Sequence, residues 1–159
     1  MHTIRKIIIF ISLLFAAIPS IGLEKSDRFL CLSEAAQGFV LEDNEWKPTR
    51  FDVSDKKYII RPLSDDERAT KDKFLLFQFG EDEFPELAYV LTEFGDDRVL
   101  LGCDPGRSST HLFCFGGDFV LNTETYEFMW HDTLGFNLRD PGQSEEAGVW
   151  IKMGSCSRI

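Results

Sequence analysis

The sequence lacks an apolar run long enough to cross a membrane. Its longest such run, Ile7–Ile18, has twelve residues and is broken only by Ser12. At about 1.5 Å per helical residue it spans about 18 Å, well short of the ~30 Å hydrocarbon core of a bilayer. The run is therefore too short for a transmembrane anchor.

The flanks of this run are typical of an export signal. Two basic residues precede it, Pro19 ends it, and small residues follow at Ser20 and Gly22. This order of basic, apolar and small residues predicts a secretory signal peptide over residues 1–22. The remaining 23–159 are then one exported domain, periplasmic or secreted, with no membrane contact after cleavage.

Basic residues are scarce. The chain has 17 Lys and Arg against 27 Asp and Glu, for a net charge of −10, and loss of the predicted signal takes two basic residues and leaves −12. A field of this sign opposes nucleic acid and anionic membrane surfaces, so both are excluded as partners. It favours a basic partner, or simply keeps the protein in solution.

Sequence motifs of catalysis are also missing. There is no G-x-S-x-G nucleophile elbow, and only His111 and His131 remain after the signal. The acidic clusters at 65–67, 81–83 and 96–97 do not have the alternating spacing of a calcium loop and are interpreted as solvated turns. The sequence predicts no cofactor and no metal, and a hydrolase with an unrecognised site stays an alternative.

Four cysteines are present, all after the predicted signal. An even number in an exported chain predicts two disulfides, for which three connectivities exist. We favour Cys103–Cys114, which closes a short loop over an Asp-Pro-Gly turn, and Cys31–Cys156, which ties the start of the domain to its end. A metal site at Cys103, His111 and Cys114 competes, but zinc sites usually contain close pairs such as C-x2-C, and none occurs here.

The rest of the chain predicts short strands separated by turn residues. The clearest hairpin has Phe119–Leu121 as its first arm and Tyr126–His131 as its second. Val149, Ile151 and Met153 share an apolar face opposite Trp150 and Lys152. The run Phe74–Phe79 is apolar throughout, as expected of a strand buried on both faces.

One segment predicts a helix. Ser64 and Glu67 have the spacing of a capping box, and residues 68–73 continue it for about two turns. With eight to ten strands around it, the fold class is all-β: a single antiparallel domain, either a small barrel or a barrel-like sandwich, with one short helix.

Several positions together resemble a known family. Cys31 is followed by Gly38-Phe39 and Trp46, and a second part reads Phe119-x-x-Asn122-x-x-Thr125-x-x-Phe128 before the terminal Gly154-x-Cys156-Ser157. This pattern resembles a family of small exported proteins of Gram-negative bacteria whose function is uncharacterised. The matching positions are turns, core residues and cysteines, so the resemblance implies a disulfide-linked exported domain and no catalytic residue.

An aromatic stripe is the strongest sign of a ligand site. Tyr126, Phe128 and Trp130 alternate on one strand and could line a cavity, although a filled core has the same pattern. We expect a non-catalytic binding protein that engages a basic envelope protein. The alternative is a lipocalin-like carrier of a small apolar ligand.

Overall fold

The computed structural model describes most of the chain after the predicted signal: residues 23–43, 45–70, 75, 78–79, 85–86, 88–105, 110–114, 118–132 and 148–159. The predicted signal peptide and the acidic cluster at 81–83 lie outside the described residues.

Nine strands and one helix have defined bounds within this part of the chain. They are β1 (Phe29–Glu42), β2 (Glu45–Phe51), β3 (Lys57–Pro62), α1 (Asp65–Thr70), β4 (Tyr89–Glu93), β5 (Val99–Pro105), β6 (His111–Cys114), β7 (Phe119–Asn122), β8 (Glu127–Asp132) and β9 (Gly148–Arg158). In the described part of the chain, no helix is long and apolar enough to span a bilayer.

Eight of the strands close into an antiparallel barrel. The strands β3 to β9 pair in sequence order, and β1 joins the two edges by pairing with both β3 and β9. Strand β2 is additional and pairs with the second half of β1. The predicted all-β, single-domain fold is thus confirmed, and it is a barrel rather than a sandwich.

The barrel interior is filled by side chains. A continuous cluster of buried residues runs through it: Phe29, Cys31, Tyr58, Ile60, Tyr89, Leu91, Cys103, Leu112, Cys114, Phe119, Leu121, Phe128 and Cys156. These residues come from every strand of the barrel. Where a strand contributes more than one, they are every second residue, because side chains in a strand point alternately inward and outward. Any bound ligand would therefore lie at an end of the barrel or on its outer wall.

Both disulfides join neighbouring strands of the barrel. Cys31 lies directly opposite Cys156 on β1 and β9, and Cys103 lies opposite Cys114 on β5 and β6. These are the two pairs that the sequence favours. Because Cys103 and Cys114 are bonded to each other, neither is a thiolate, which removes the competing metal site.

Local signals in the sequence are reproduced at two places. The hairpin of β7 and β8 forms, with Leu121 opposite Phe128. At α1, the Ser64 hydroxyl accepts a hydrogen bond from the Glu67 backbone N–H at 3.2 Å, and the Glu67 carboxylate accepts one from the Ser64 N–H at 2.8 Å. This reciprocal pair is a capping box and explains why the helix begins here.

The prediction of a strand over Phe74–Phe79 is wrong. Leu75, Gln78 and Phe79 are helical. A continuous apolar run does not distinguish a buried strand from a buried helix, because it has neither a two-residue nor a 3.6-residue period. Leu75 and Phe79 are four residues apart, which places them on one face of a helix.

This helical stretch lies on the outside of the barrel, in a covering segment that we define as residues 63–88. Its Leu75 packs with Leu63, Ala88 and Val90 in a second core cluster, to which Phe79 adds its ring. Since Val90 belongs to β4 and is fully buried, the covering segment hides the outer face of β4. We call the outer faces of β4 and β5 the covered wall.

Strand β9 has the predicted alternation, but its apolar face points outward. Ile151 and Met153 are about half exposed, at 49% and 53%, whereas Trp150 and Lys152 point toward the interior, where Lys152 reaches Tyr58. Alternation shows which residues share a face without showing which face is the inner one.

Candidate functional site

All three predicted ligand-facing aromatics take part in the packing of the barrel. Phe128 is buried and stacks on Phe119 with 5.0 Å between ring centroids. Tyr126, at φ +60°, lies 6.2 Å from Phe29. Trp130 is half-buried and lies nearer the end of the barrel at which β1 ends and β9 begins, which we call the distal end.

An exposed row of apolar side chains crosses the outer face of five strands. Cross-strand pairing aligns its members, whose side chains are then about 5 Å from their neighbours. The apolar row consists of Phe113 on β6, Val120 on β7, Met129 on β8, Met153 on β9 and Ala35 on β1. We call the outer faces of these strands the exposed wall.

A shallow trough is formed along the middle of this row. It has a volume of about 750 Å³, and its floor includes Val120, Met129 and Met153. Met129 is 41% exposed and Met153 is 53% exposed. Contiguous exposed apolar surface on a soluble domain usually marks an interaction site.

Two carboxylates border the trough, one on each side of Ser155. Glu127 lies opposite Ser155 across β8 and β9, and Glu34 accepts a hydrogen bond of 2.5 Å from the Ser155 hydroxyl. A shift of register between Ser33 and Ala35 makes Glu34 the extra residue of a β-bulge. Among the described residues, neither carboxylate has a Lys or Arg partner.

A second unusual arrangement lies at the distal end, inside the barrel. The Lys152 ammonium is 4.6 Å from the ring centroid of Trp150, 4.9 Å from that of Trp130 and 5.2 Å from that of Tyr58. It also donates a hydrogen bond of 2.7 Å to the Tyr58 hydroxyl. The faces of the two tryptophans and the hydroxyl of Tyr58 together form an aromatic cage around the ammonium, in which each tryptophan cation–π contact contributes about 0.5–2 kcal/mol.

Burial changes the acid–base properties of this cage. It lowers the pKa of Lys152, and the positive charge of nearby Lys56 lowers it further. Burial also raises the pKa of Tyr58 to about 12, so the hydroxyl that accepts the Lys152 hydrogen bond stays neutral at physiological pH. Within the described part of the chain, no carboxylate lies within ion-pair distance of Lys152.

A cavity of about 460 Å³ opens beside the cage, and we call it the end cavity. Lys56 and Lys152 both border it, and Lys56 makes a 3.4 Å contact with Glu93. Its other walls are Ala36, Val40, Phe51, Asp52, Val53, Gly148 and Trp150.

The two histidines have different surroundings. The Thr110 hydroxyl lies 2.9 Å from His111 Nδ1, at one end of the trough. His131 Nδ1 lies 3.9 Å from an Asp118 carboxylate oxygen. The serines of the loop before His111 lie outside the described residues. In the described ranges, no group of three or more His, Cys, Asp or Glu side chains is arranged to hold a metal ion.

Comparison with known proteins finds no family model, no curated protein and no solved structure that matches this chain. The resemblance to small exported Gram-negative proteins stays a prediction.

Sequence reasoning missed the residues that form both surfaces. Met129 and Met153 are on strands that were predicted correctly, but no sequence signal shows that their faces point outward. Lys152 is a single basic residue between aromatic and apolar ones. Its neighbour Trp150 and the predicted aromatic Trp130 were the available signal, since a Lys among aromatics that share a face is the composition of a cation–π cage.

Proposed function

We propose that this is an exported, non-catalytic binding protein that holds a basic segment of another protein in the trough of the exposed wall. The observation that carries the proposal is the apolar row with Glu34 and Glu127 beside it. An exported location, periplasmic or secreted, is supported by the predicted signal peptide and by two disulfides, which persist in oxidising compartments.

The apolar part of the trough supplies the area for binding. Met129 and Met153 lie side by side on neighbouring strands, and both keep a large share of their surface in contact with solvent. Because about half of each side chain is already covered, burying the rest contributes about 1 kcal/mol for each methionine. Methionine is flexible and polarizable, so a Met-lined floor adapts to different apolar partners.

The carboxylates determine the charge of the partner. Ser155 and Met153 point to the same side of β9 and are about 7 Å apart along the strand. Glu34 and Glu127, which flank Ser155, therefore lie within reach of a Lys or Arg whose neighbour rests on the methionines. The net charge of −10 adds attraction at longer range.

Binding of labelled peptides, followed by fluorescence anisotropy, tests this proposal. The first peptide contains four lysines and four leucines. The second replaces leucine with serine and keeps the charge, and the third replaces lysine with glutamate and keeps the apolar residues. We expect only the first to bind, because the trough recognises both properties together.

A matched pair of variants locates the binding surface. Met153→Lys removes an apolar side chain from the trough and adds a positive charge, and we expect about tenfold weaker binding of the lysine–leucine peptide. Phe94→Lys makes the same kind of change at another exposed position, since Phe94 is 58% exposed in the turn after β4. It should change the affinity less than about twofold.

The charge contribution is tested separately. The double variant Glu34→Gln, Glu127→Gln should weaken binding about fivefold at low salt and much less at ~0.5 M salt, where charges are screened. Glu45→Gln, at the tip of the β1–β2 hairpin, is the control. Equal effects of Met153→Lys and Phe94→Lys, or equal binding of the serine peptide, would contradict the proposal.

A further inference from the structure

We propose that the end cavity is a second binding site, which takes a small amphipathic anion with its acid group at Lys56 and Lys152 and its apolar body against Phe51, Val53 and Trp150. This site is at the inner side of the distal end, whereas the trough is on the outer wall. The inference is independent of the protein-binding function.

The shape of the cavity fits a small ligand with an apolar body. Its volume of about 460 Å³ lies within the range of small-molecule sites, which are concave and mostly apolar with a few placed polar groups. Val40 and Ala36 add to the apolar wall. The filled interior of the barrel closes the inner side of the site.

The two lysines determine the sign of the ligand. Lys152 has three donor hydrogens, one of which goes to the Tyr58 hydroxyl. Its ammonium is half-buried, and a buried charge is stable only when it is paired or hydrogen-bonded. The aromatic cage supplies part of this stabilisation, and an acid group of the ligand would supply a charge-assisted hydrogen bond.

Two carboxylates near the cavity oppose an anion, and both already have partners. Asp52 accepts a 3.0 Å hydrogen bond from the Ser54 backbone N–H, and this bond lowers the pKa of Asp52. Glu93 lies 3.4 Å from Lys56. An acid group that enters the cavity would share Lys56 with Glu93 and take the position nearer to Lys152.

The ligand is a free, monomeric amphiphile rather than the surface of a membrane. Lys152 lies inside the barrel within the aromatic cage, where the headgroups of a bilayer cannot reach it. The same acid chemistry occurs in anionic lipids, so the experiment includes vesicles of an anionic phospholipid as a separate arm.

The test is a titration of the full oxidised domain with four probes at concentrations below micelle formation. The probes are decanoate, 1-decanol, acetate and decyltrimethylammonium, and the signals are calorimetric heat and tryptophan fluorescence. Because Trp150 lines the cavity and Trp130 contacts Lys152, occupancy should change the fluorescence. We expect decanoate to bind at least about tenfold more tightly than each of the others.

Three variants locate the acid group. Lys56→Gln removes a charge from a side chain that is 42% exposed, so the fold is retained, and decanoate binding should weaken about threefold. Lys152→Met keeps the unbranched stem and should weaken binding about tenfold. Lys25→Gln, whose lysine pairs with Glu86 near the covering segment, is the control and should have no effect.

The outcomes separate clearly. Decanol that binds as tightly as decanoate, or tighter binding of the cationic probe, would overturn the assignment of an acid group. Binding to phosphatidylglycerol vesicles without binding of monomeric decanoate would overturn the cavity as the site. If Lys152→Met does not fold, an unchanged affinity in Lys56→Gln alone overturns the proposal. The trough variant Met153→Lys should bind decanoate normally.

Discussion

The two walls of this barrel are built from the same kind of strand but end in opposite environments. On the covered wall, Val90 points outward from β4 and is fully buried beneath Leu75. On the exposed wall, Met153 points outward from β9 and is 53% exposed. Both are apolar residues at outward positions, so strand periodicity alone does not distinguish them. What differs is whether the described part of the chain covers the outward residue.

This difference is the internal evidence for the function that we propose. Where β3 is followed by the covering segment, the apolar outer face belongs to the core. Where strands are joined by short turns, as between β7 and β8, the described chain leaves the apolar outer face in contact with solvent. A partner bound at the trough would shield the apolar side chains of the exposed wall from solvent, as the covering segment shields those of the covered wall.

Removing each disulfide is the first test of this comparison, and it has the largest expected effect on the free energy of unfolding. Cys31–Cys156 joins β1 to β9, which are both strands of the exposed wall, across 125 positions, whereas Cys103–Cys114 joins β5 of the covered wall to β6 of the exposed wall across 11 positions. On the chain-entropy model, replacing each pair with serine should lower the free energy of unfolding by about 5 and about 3 kcal/mol. Urea unfolding of the two double variants measures this, and equal losses would contradict the dependence on loop length.

Truncation of one apolar residue on each wall comes next. Leu75→Ala removes a side chain that is 2% exposed and should lower the free energy of unfolding by about 2–4 kcal/mol. Met153→Ala should change it by about 0.5 kcal/mol or less, because the side chain loses little packing. Chemical denaturation of both variants checks this contrast. A loss of 2 kcal/mol in Met153→Ala would mean that the exposed wall is part of the core.

At low pH we expect the covered wall to become exposed to solvent, as the exposed wall already is. Hydrogen bonds from Arg61, at 2.7 and 2.8 Å, lower the pKa of Glu67 to about 2 and hold the start of the covering segment. A lowered folded-state pKa means that this stabilisation is complete above about pH 4.5 and is lost as the pH falls toward 2. The pair is partly exposed and therefore screened, so we expect about 1–2 kcal/mol.

A dye that binds apolar surface reports the same event. Its fluorescence should rise between pH 4.5 and 2 as the covered wall opens, and Glu67→Gln should give part of that rise at pH 7. Glu42→Gln is a suitable control, because Glu42 pairs with Lys47 in the β1–β2 hairpin, outside the covering segment. If Glu67→Gln gave the same dye fluorescence as the wild type at every pH, the Arg61–Glu67 pair would not be what holds the covering segment in place.

The smallest effect concerns the interior that both walls share. Burial raises the pKa of both Tyr58 and Tyr89 to about 12. A raised folded-state pKa means that stability is complete below about pH 10 and is lost as the pH rises toward 12. Tyrosinate absorbance and unfolding, followed in the same pH titration, should change together. Ionisation of these tyrosines near pH 10 in the folded protein would contradict the raised pKa values.

The sequence predicts the features of this fold that depend on neighbouring residues. The β7–β8 hairpin follows from alternation and turn residues, and the start of α1 follows from Ser64 and Glu67. The disulfide pairs follow from an even count and one turn. Each of these signals involves residues close together in the sequence. The exception is Cys31–Cys156, which is favoured because it ties the start of the domain to its end.

The features that the sequence does not predict depend on contacts between distant segments. Leu75 and Phe79 are helical because the outer face of β4 offers them a surface to pack on. Lys152 points inward because Tyr58, Trp130 and Trp150 surround its ammonium. For both, residues on other strands contribute to the outcome, and for Lys152 the only nearby signal in the sequence is Trp150, two residues away on the same strand.

The pairing of β1 with β9 also determines how the domain responds to mechanical force. Phe29 pairs with Arg158 where β1 begins and β9 ends, and the Ile159 N–H donates to the Arg28 carbonyl at 2.9 Å. A pull that separates Arg28 from Ile159 would break the ladder one rung at a time. The pull reaches Cys31–Cys156 two residues later and then acts on a covalent bond. In the oxidised state the strands beyond the disulfide bear no load, so the barrel stays closed while the covalent bond carries the force.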